Sequence, residues 1–232
     1  MAALTSHPAL IRRYVLRETL SLLGMAVMLF WPAGRLDWWQ AWGALAISLG
    51  WLAGTGAVII RNHPDLLAER LGPRRGAKRW DTLIVSLMGL VTMIRYIVAG
   101  LDQRYAWSGG FAPAAQIAAL LVGGLGYALF VRAVAANAFF SQVVRIQAER
   151  GHAVASGGPY RHVRHPAYLG VILYELSVSV LLGSWPALAV SAVSVAMLVT
   201  RTALEDRALR AELPGYADYA GRVRYRLLPG IW

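Results

Sequence analysis

The 232-residue sequence contains no cysteine and only one lysine, Lys78. Without cysteine the chain has no disulfide framework, no thiolate nucleophile, and no cysteine-ligated zinc ion or iron–sulfur cluster. Charged residues are also scarce, at 15% of the chain, whereas an average soluble domain has roughly 25%. A water-soluble globular domain is therefore not expected.

Long hydrophobic runs take the place of these residues: 57% of the chain is hydrophobic, and the mean hydropathy is +0.49. A helix that crosses a membrane needs about 20 mostly apolar residues. Six runs approach this length: 19–31, 39–60, 82–101, 112–140, 167–183 and 186–200. The last two are separated only by Ser184 and Trp185, which predicts a tight hairpin over 167–200. We predict an all-α, polytopic membrane helix bundle with five to six membrane segments, this C-terminal hairpin and a cytoplasmic C-terminal helix.

The basic residues, which give a net charge of +11, are unevenly distributed between the hydrophobic runs. They concentrate before the first run, in 61–79, in 145–164 and after residue 200, whereas the alternate loops contain only Arg35 and Arg104. Cytoplasmic loops are enriched in Lys and Arg. We therefore expect an integral protein of a bacterial inner membrane with both termini in the cytoplasm, in contact with anionic membrane lipids and not with nucleic acid. Arg95 lies within a run, and we expect its side chain to extend to the membrane surface.

The polar residues with chemical potential lie in the second half of the chain. We divide the chain into N-terminal transmembrane helices, 1–138, and a cofactor-binding and catalytic region, 139–232. The densest polar segment, 156–170, has two His, two Arg and two Tyr directly before an apolar run. Pro166 suits the first turn of a helix, whose free N–H groups favour a carboxylate or phosphate. A basic loop that only binds lipid headgroups has the same composition.

Arg201 and Glu205 form a second candidate site at the end of the last hydrophobic run. Their i,i+4 spacing places them on one helix face, where they either pair with each other or mark a site at the membrane boundary. Asp206 and Arg210 are expected to face solvent. No metal site is expected, because His162 and His165 have no partner Cys or HExxH pattern.

Two ordered motifs resemble those of a known family of integral membrane enzymes. The segment Gly158-Pro-Tyr-Arg-His-Val-Arg-His-Pro-Ala-Tyr-Leu-Gly170 is similar to a GPY…RHPxYxG signature. The tail from Glu205-Asp206 through Gly215-Tyr216 to Pro229 is similar to the closing pattern of the same proteins. Both resemble the isoprenylcysteine carboxyl methyltransferase and phospholipid methyltransferase family. The chain departs from the pattern at Asp206, where a second Glu is usual, and at Leu213-Pro214, where Phe is common.

This resemblance implies S-adenosylmethionine-dependent methyl transfer to a lipophilic or lipid-modified acceptor at the cytoplasmic membrane face. It assigns Arg201 and Glu205 to catalysis, and Arg201 also to substrate binding. The cofactor-binding residues that it implies are Gln147, His152, Ala153, Val154, Ala155, Tyr160, His165, Pro166, Ala167, Tyr168 and Glu205. An NADPH-dependent, sterol-reductase-like membrane enzyme and a non-catalytic lipid-binding membrane protein remain alternatives. The identity of the acceptor, the atom that is methylated and the oligomeric state are left open.

Overall fold

The computed structural model describes residues 7–72 and 76–232, and regular structure in these residues is helical throughout. Arg74 and Arg75, part of the basic 61–79 segment, lie outside the described residues. The helices are α1 (His7–Ala33), α2 (Trp39–Asn62), α3 (Asp65–Leu71), α4 (Arg79–Tyr105), α5 (Pro113–Ala135), α6 (Pro166–Leu181), α7 (Trp185–Glu212) and α8 (Tyr216–Arg222). The predicted all-α fold is confirmed.

Five of the described helices, α1, α2, α4, α5 and α7, are long and apolar enough to cross a membrane. The predicted hairpin is formed by α6 and α7, which join at Leu182–Ser184. With 16 residues, α6 is shorter than these five helices. The five to six membrane segments predicted from the sequence differ by whether α6 is counted. The structure also contains the short helix α3, which hydrophobic runs did not predict.

The last long helix continues well beyond the predicted apolar run. The 186–200 run covers only part of α7, which ends at Glu212. The charged segment that follows Thr200 is therefore a continuation of the same helix. Because the helix is rigid, the positions of Arg201 and Glu205 are fixed relative to the bundle.

Close packing of α5 on α6 sets the position of the segment between them. A Cβ atom at Gly126 would lie 2.6 Å from the carbonyl oxygen of Gly170, and one at Gly170 would lie 2.5 Å from that of Gly126. The two helix backbones approach so closely that only glycine fits at this crossing, as small residues allow in membrane bundles. The chain between these helices, 136–165, therefore folds over the end of the bundle where α6 begins.

Candidate functional site

A pocket lies at this end of the bundle, between the 136–165 segment, the start of α6 and the polar end of α7. Residues far apart in the sequence meet there. Its lining includes ten of the predicted site residues: His152, Ala153, Val154, Ala155, Tyr160, His165, Ala167, Tyr168, Arg201 and Glu205. Gln147 and Pro166, which the resemblance also implied, are not part of the lining.

Gln147 is instead buried beneath the segment that forms one wall of the pocket. Its side-chain amide donates a hydrogen bond to the Phe139 carbonyl oxygen at 2.7 Å and accepts one from Arg150. The His152 ring stacks on Phe139 with 4.7 Å between centroids, and its Nδ1 accepts a hydrogen bond from the Gln147 backbone N–H at 3.3 Å. Burial, followed by the charges of Arg145 and Arg150, lowers the pKa of His152. The ring is therefore held neutral, as its acceptor role requires.

The Gly158–Arg161 turn places Tyr160 in the pocket wall. Gly158 has φ = +55°, and a Cβ there would lie 3.2 Å from the Ala136 Cβ, so the turn favours glycine. The Tyr160 hydroxyl accepts a hydrogen bond from Asn137 at 3.3 Å, while the Tyr219 hydroxyl donates to its carbonyl oxygen at 2.8 Å. Burial raises the pKa of Tyr160, which therefore remains protonated at neutral pH.

The first turn of α6 brings an aromatic ring next to the carboxylate of Glu205. Pro166 begins the helix, as predicted, and the rings of His165 and Tyr168 lie nearly parallel with 5.7 Å between centroids. The Tyr168 hydroxyl donates a hydrogen bond to Glu205. Glu205 is thus bonded to an uncharged partner, and the i,i+4 pair with Arg201 that the sequence allowed is not formed.

Arg201 pairs with Asp81, a residue that the sequence analysis missed. Its Nε donates to Asp81 Oδ1 at 2.7 Å, and its Nη2 donates to the Gln142 carbonyl oxygen at 3.0 Å. The guanidinium also lies over the Tyr168 ring, 5.2 Å from its centroid. Asp81 is fully buried. Its place directly before a hydrophobic run of membrane length was the signal in the sequence that pointed to it.

Asp206 was expected to face solvent, and this prediction is wrong. The carboxylate is buried and receives hydrogen bonds from Arg164 at 2.7 Å, Arg226 at 3.0 Å and Tyr216 at 3.0 Å. The tail adds backbone bonds, since the N–H groups of Arg164 and His165 donate to the carbonyl oxygens of Tyr225 and Arg226. Asp206 therefore joins the 156–170 segment, α7 and the tail into one unit. These partners lie outside α7. The residues next to Asp206 within that helix therefore could not predict that its carboxylate is buried.

The charges around the pocket leave one acid without a cationic partner. The three arginines in the lining are each paired with an acid: Arg145 with Glu69 at 2.6 Å, Arg164 with Asp206 and Arg201 with Asp81. Glu205, by contrast, has no salt-bridge partner among the described residues. The pocket thus presents a carboxylate beside aromatic rings, an environment that favours a cationic group.

Comparison with known proteins agrees with the motifs. Residues 117–211 match the family model of the isoprenylcysteine carboxyl methyltransferase (ICMT) family. Among solved structures, the chain resembles the eukaryotic intramembrane Ras methyltransferase ICMT, with a TM-score of 0.62 and 18% sequence identity. The alignment covers 90% of this chain and 72% of that one. No curated protein sequence gives a significant match. The resemblance that the two motifs predicted is confirmed: the chain carries the sequence features of the isoprenylcysteine carboxyl methyltransferase family over residues 117–211 and has the fold of a membrane protein of that family.

Proposed function

We propose that this protein is an S-adenosylmethionine-dependent methyltransferase whose acceptor is a lipophilic or membrane-embedded molecule, an isoprenylcysteine carboxylate or a lipid. The family match and the fold support methyl transfer in a membrane. The observation that carries the choice of cofactor is the unpaired carboxylate of Glu205 next to Tyr168 in the pocket. S-adenosylmethionine has a sulfonium and an ammonium, so a pocket with a carboxylate that forms no salt bridge suits it.

The lining residues fit the separate parts of this cofactor. Glu205 would bind the ammonium or the ribose hydroxyls, while Tyr160 and Tyr168 offer aromatic faces for the adenine or the sulfonium. His165 and the first turn of α6 lie where they can bind a carboxylate. When bound, the cofactor supplies a methyl group on positively charged sulfur, and the transfer to an acceptor leaves a neutral thioether. Because the reaction is an in-line displacement, the protein mainly has to hold donor and acceptor in line at about 3 to 3.5 Å.

Arg201 is the residue we assign to the acceptor. Asp81 and the Gln142 carbonyl oxygen hold its Nε and Nη2, while Nη1 forms no hydrogen bond with the described residues. The free Nη1 can therefore orient an anionic group, and its fixed plane lowers the entropy lost on binding. A carboxylate acceptor already carries the electron pair that attacks, so it needs no general base. This arrangement favours an acceptor with a carboxylate or a phosphate.

The site is proposed to face the cytoplasm of a bacterial inner membrane, with both termini on that side. The segments around the pocket, 145–164 and the tail after residue 200, are rich in arginine, whereas the loops at the opposite ends of the helices contain only Arg35 and Arg104. A water-soluble cofactor would then enter from the cytoplasm. An apolar acceptor would enter from the bilayer and meet it at the interface.

The pocket is less suited to NADPH, the cofactor of the sterol-reductase alternative. NADPH carries a pyrophosphate and a 2′-phosphate, which require cationic side chains free to bind them. Each arginine in the lining is already paired with an acid. The free Nη1 of Arg201 can orient one anionic group of an acceptor, but it cannot compensate the several phosphates of NADPH.

The test is calorimetric titration of the purified protein with S-adenosylhomocysteine, with NADPH as the control ligand. S-adenosylhomocysteine should bind saturably, and Glu205→Gln should weaken binding by about tenfold or more, since a hydrogen bond to a charged group is lost. Glu149→Gln is the matched control, because Glu149 is an exposed acid of the same region that pairs with Arg145; it should bind like the wild type. Saturable binding of NADPH alone, or no binding of either ligand, would refute the proposal.

The acceptor is tested separately, with membrane extracts and radiolabelled S-adenosylmethionine. Label should enter a lipid-soluble product, and Arg201→Gln should raise the KM for the acceptor more than it changes cofactor affinity. Equal methylation of a water-soluble acceptor in the absence of lipid or detergent would argue against a membrane-embedded substrate.

A further inference from the structure

A second cavity lies within the apolar part of the bundle, between α1, α2, α4 and α6. It has a volume of about 690 Å³ and shares no lining residue with the pocket described above. Small-molecule sites typically have volumes of about 300 to 1,000 Å³. Its walls are mostly apolar and include Leu20 and Met93, which are exposed at the surface of the bundle. The cavity is therefore open to the hydrocarbon of the bilayer.

Polar side chains stand at one end of this apolar cavity. Ser48, Tyr96, Tyr174 and Glu175 all contribute to its lining. The three hydroxyls bond to one another, with 2.7 Å between Ser48 and Tyr174 and 3.3 Å between Tyr96 and Tyr174. Their hydrogen-bonding capacity is thus largely used within the protein. Glu175 is the exception.

The Glu175 carboxylate forms a salt bridge with a buried arginine through one of its two oxygens. Its Oε2 lies 2.5 Å from Arg95 Nη1, whereas its Oε1 has no hydrogen-bond partner among the described residues. The Arg95 side chain is 1% exposed and that of Glu175 is 8% exposed, so both lie inside the bundle. The expectation that Arg95 extends to the membrane surface is wrong, because Glu175 holds it in the interior.

An ion pair at this position is costly for the folded protein. Moving two charges out of water carries a penalty that their attraction often does not offset, and apolar residues of similar size would be as stable or more so. Ionisable residues within membrane segments are rare and usually mark a functional site. Together with the free carboxylate oxygen and the open cavity, this cost indicates a ligand that completes the hydrogen bonding.

We propose that the cavity binds an uncharged membrane lipid that carries a hydroxyl group, such as a long-chain alcohol, and that this hydroxyl donates a hydrogen bond to Glu175. A carboxylate only accepts hydrogen bonds, so the ligand must donate. The Arg95–Glu175 pair has no net charge, and Arg17, the other charged residue of the lining, is paired with Glu18. A charged headgroup would therefore remain uncompensated in hydrocarbon. The chain of the lipid lies along the apolar walls. This site goes beyond the proposed methyl transfer and does not depend on it.

The ligand class is tested by competition for tritiated hexadecanol on the purified protein in lipid nanodiscs. Unlabelled hexadecanol should compete, whereas hexadecyl methyl ether, which cannot donate, should compete about tenfold less well or worse. Palmitate and hexadecylamine have the same chain with a charged end and should also compete poorly. Equal competition by the ether, or stronger competition by either charged compound, would overturn the proposal.

Two glycines allow the location to be tested with a matched control. Gly24 lines the cavity, while Gly124 in α5 does not, and a Cβ added at either position meets no atom within 4 Å. Gly24→Leu should occupy part of the cavity and weaken hexadecanol binding, and Gly124→Leu should leave it unchanged. Thermal unfolding and size-exclusion chromatography in detergent check that both variants are folded. Hexadecanol binding that is unchanged in Gly24→Leu would refute the location.

The role of the ion pair is tested by a double variant, Arg95→Met with Glu175→Met. It removes both charges together, which avoids the instability of a single unpaired charge. The double variant should still bind hexadecanol but should no longer distinguish it from the methyl ether. Retained preference for the alcohol would exclude Glu175 as the anchor. Glu205→Gln, which affects only the first pocket, should leave hexadecanol binding intact, so failure of one proposal is distinguishable from failure of the other.

Discussion

Buried acids determine how this protein uses its arginines. Asp81, Glu175 and Asp206 are buried, and each is in contact with at least one arginine from a different helix or segment. An arginine keeps its charge even in an apolar setting, so its burial is tolerated only where an acid or aromatic ring compensates that charge. The side chains of the arginines at the membrane boundary therefore have fixed orientations, and the Arg201 guanidinium is held next to the candidate site.

The pair between Asp81 and Arg201 should contribute strongly to stability. Asp81→Asn leaves a buried guanidinium without its acid, which typically costs about 3 to 5 kcal/mol. We expect a large fall in the free energy of unfolding, measured by denaturant titration in mixed micelles. The control is Asp37→Asn, because Asp37 forms a similar pair with Arg35, at 2.7 Å, on the exposed surface. Such a pair contributes little, so similar losses in both variants would contradict this account.

Titration of His152 should make the protein less stable as the pH falls below neutrality. Burial and nearby arginines lower the pKa of His152 in the folded state, whereas the unfolded state takes up a proton near the ordinary value of about 6.5. The unfolded state then binds more protons, so stability falls as the pH decreases through this range and is constant above it.

The measurement is the unfolding midpoint between pH 8 and pH 5 for the wild type and for His152→Asn. The wild type should lose stability from about pH 7 downward, and the variant should lose less over the same range. Identical pH profiles would show that His152 does not titrate differently in the two states.

Among the helices, the contact between α5 and α6 is the one that most directly supports the site. The 136–165 segment begins at the end of α5 and ends at the start of α6, so a change in the spacing of these helices would displace the pocket wall. Gly126 and Gly170 set that spacing through backbone contact. Gly124 lies on the same helix, but a Cβ there meets open space.

Two substitutions in α5 should therefore have opposite effects. Gly126→Ala would place its Cβ 2.6 Å from the Gly170 carbonyl oxygen and force the helices apart, at a cost of about 1 to 3 kcal/mol. Gly124→Ala should be stabilising by about 0.5 to 1 kcal/mol, since alanine loses less backbone entropy in a helix. Thermal unfolding in detergent measures both, and a destabilised Gly124→Ala would show that the contact is not specific.

At the scale of the whole molecule, the C-terminal tail completes the candidate site. The tail returns to the start of α6, where Arg226 donates to Asp206 and its carbonyl oxygen accepts from the His165 N–H. The proposed division into 1–138 and 139–232 remains a prediction. The tail contacts α7 and the start of α6, so the motif residues of the second half of the chain lie together at the candidate site.

Loss of one tail contact should weaken cofactor binding without unfolding the bundle. Arg226→Ala removes the bond to Asp206 and the contact of the guanidinium with Trp232. Local opening of the tail would lower the affinity for S-adenosylhomocysteine by roughly threefold to tenfold, measured by calorimetry. Arg222→Ala is the control because Arg222 is an exposed arginine of the preceding helix. If both variants bound the ligand like the wild type, the tail would have no part in the site.

The sequence by itself determined the helical membrane fold, the hairpin, the family resemblance and ten of the residues that line the pocket. Hydrophobic runs of membrane length and ordered motifs are properties of the linear chain, and lipid permits few backbone arrangements other than helices. The pairing of charges was decided only by the tertiary structure. Asp81 and Arg201, Asp206 and Arg226, and Glu175 and Arg95 each meet across different segments. Because an apolar interior makes an unpaired charge so costly, these long-range contacts override the local i,i+4 and solvent-facing expectations.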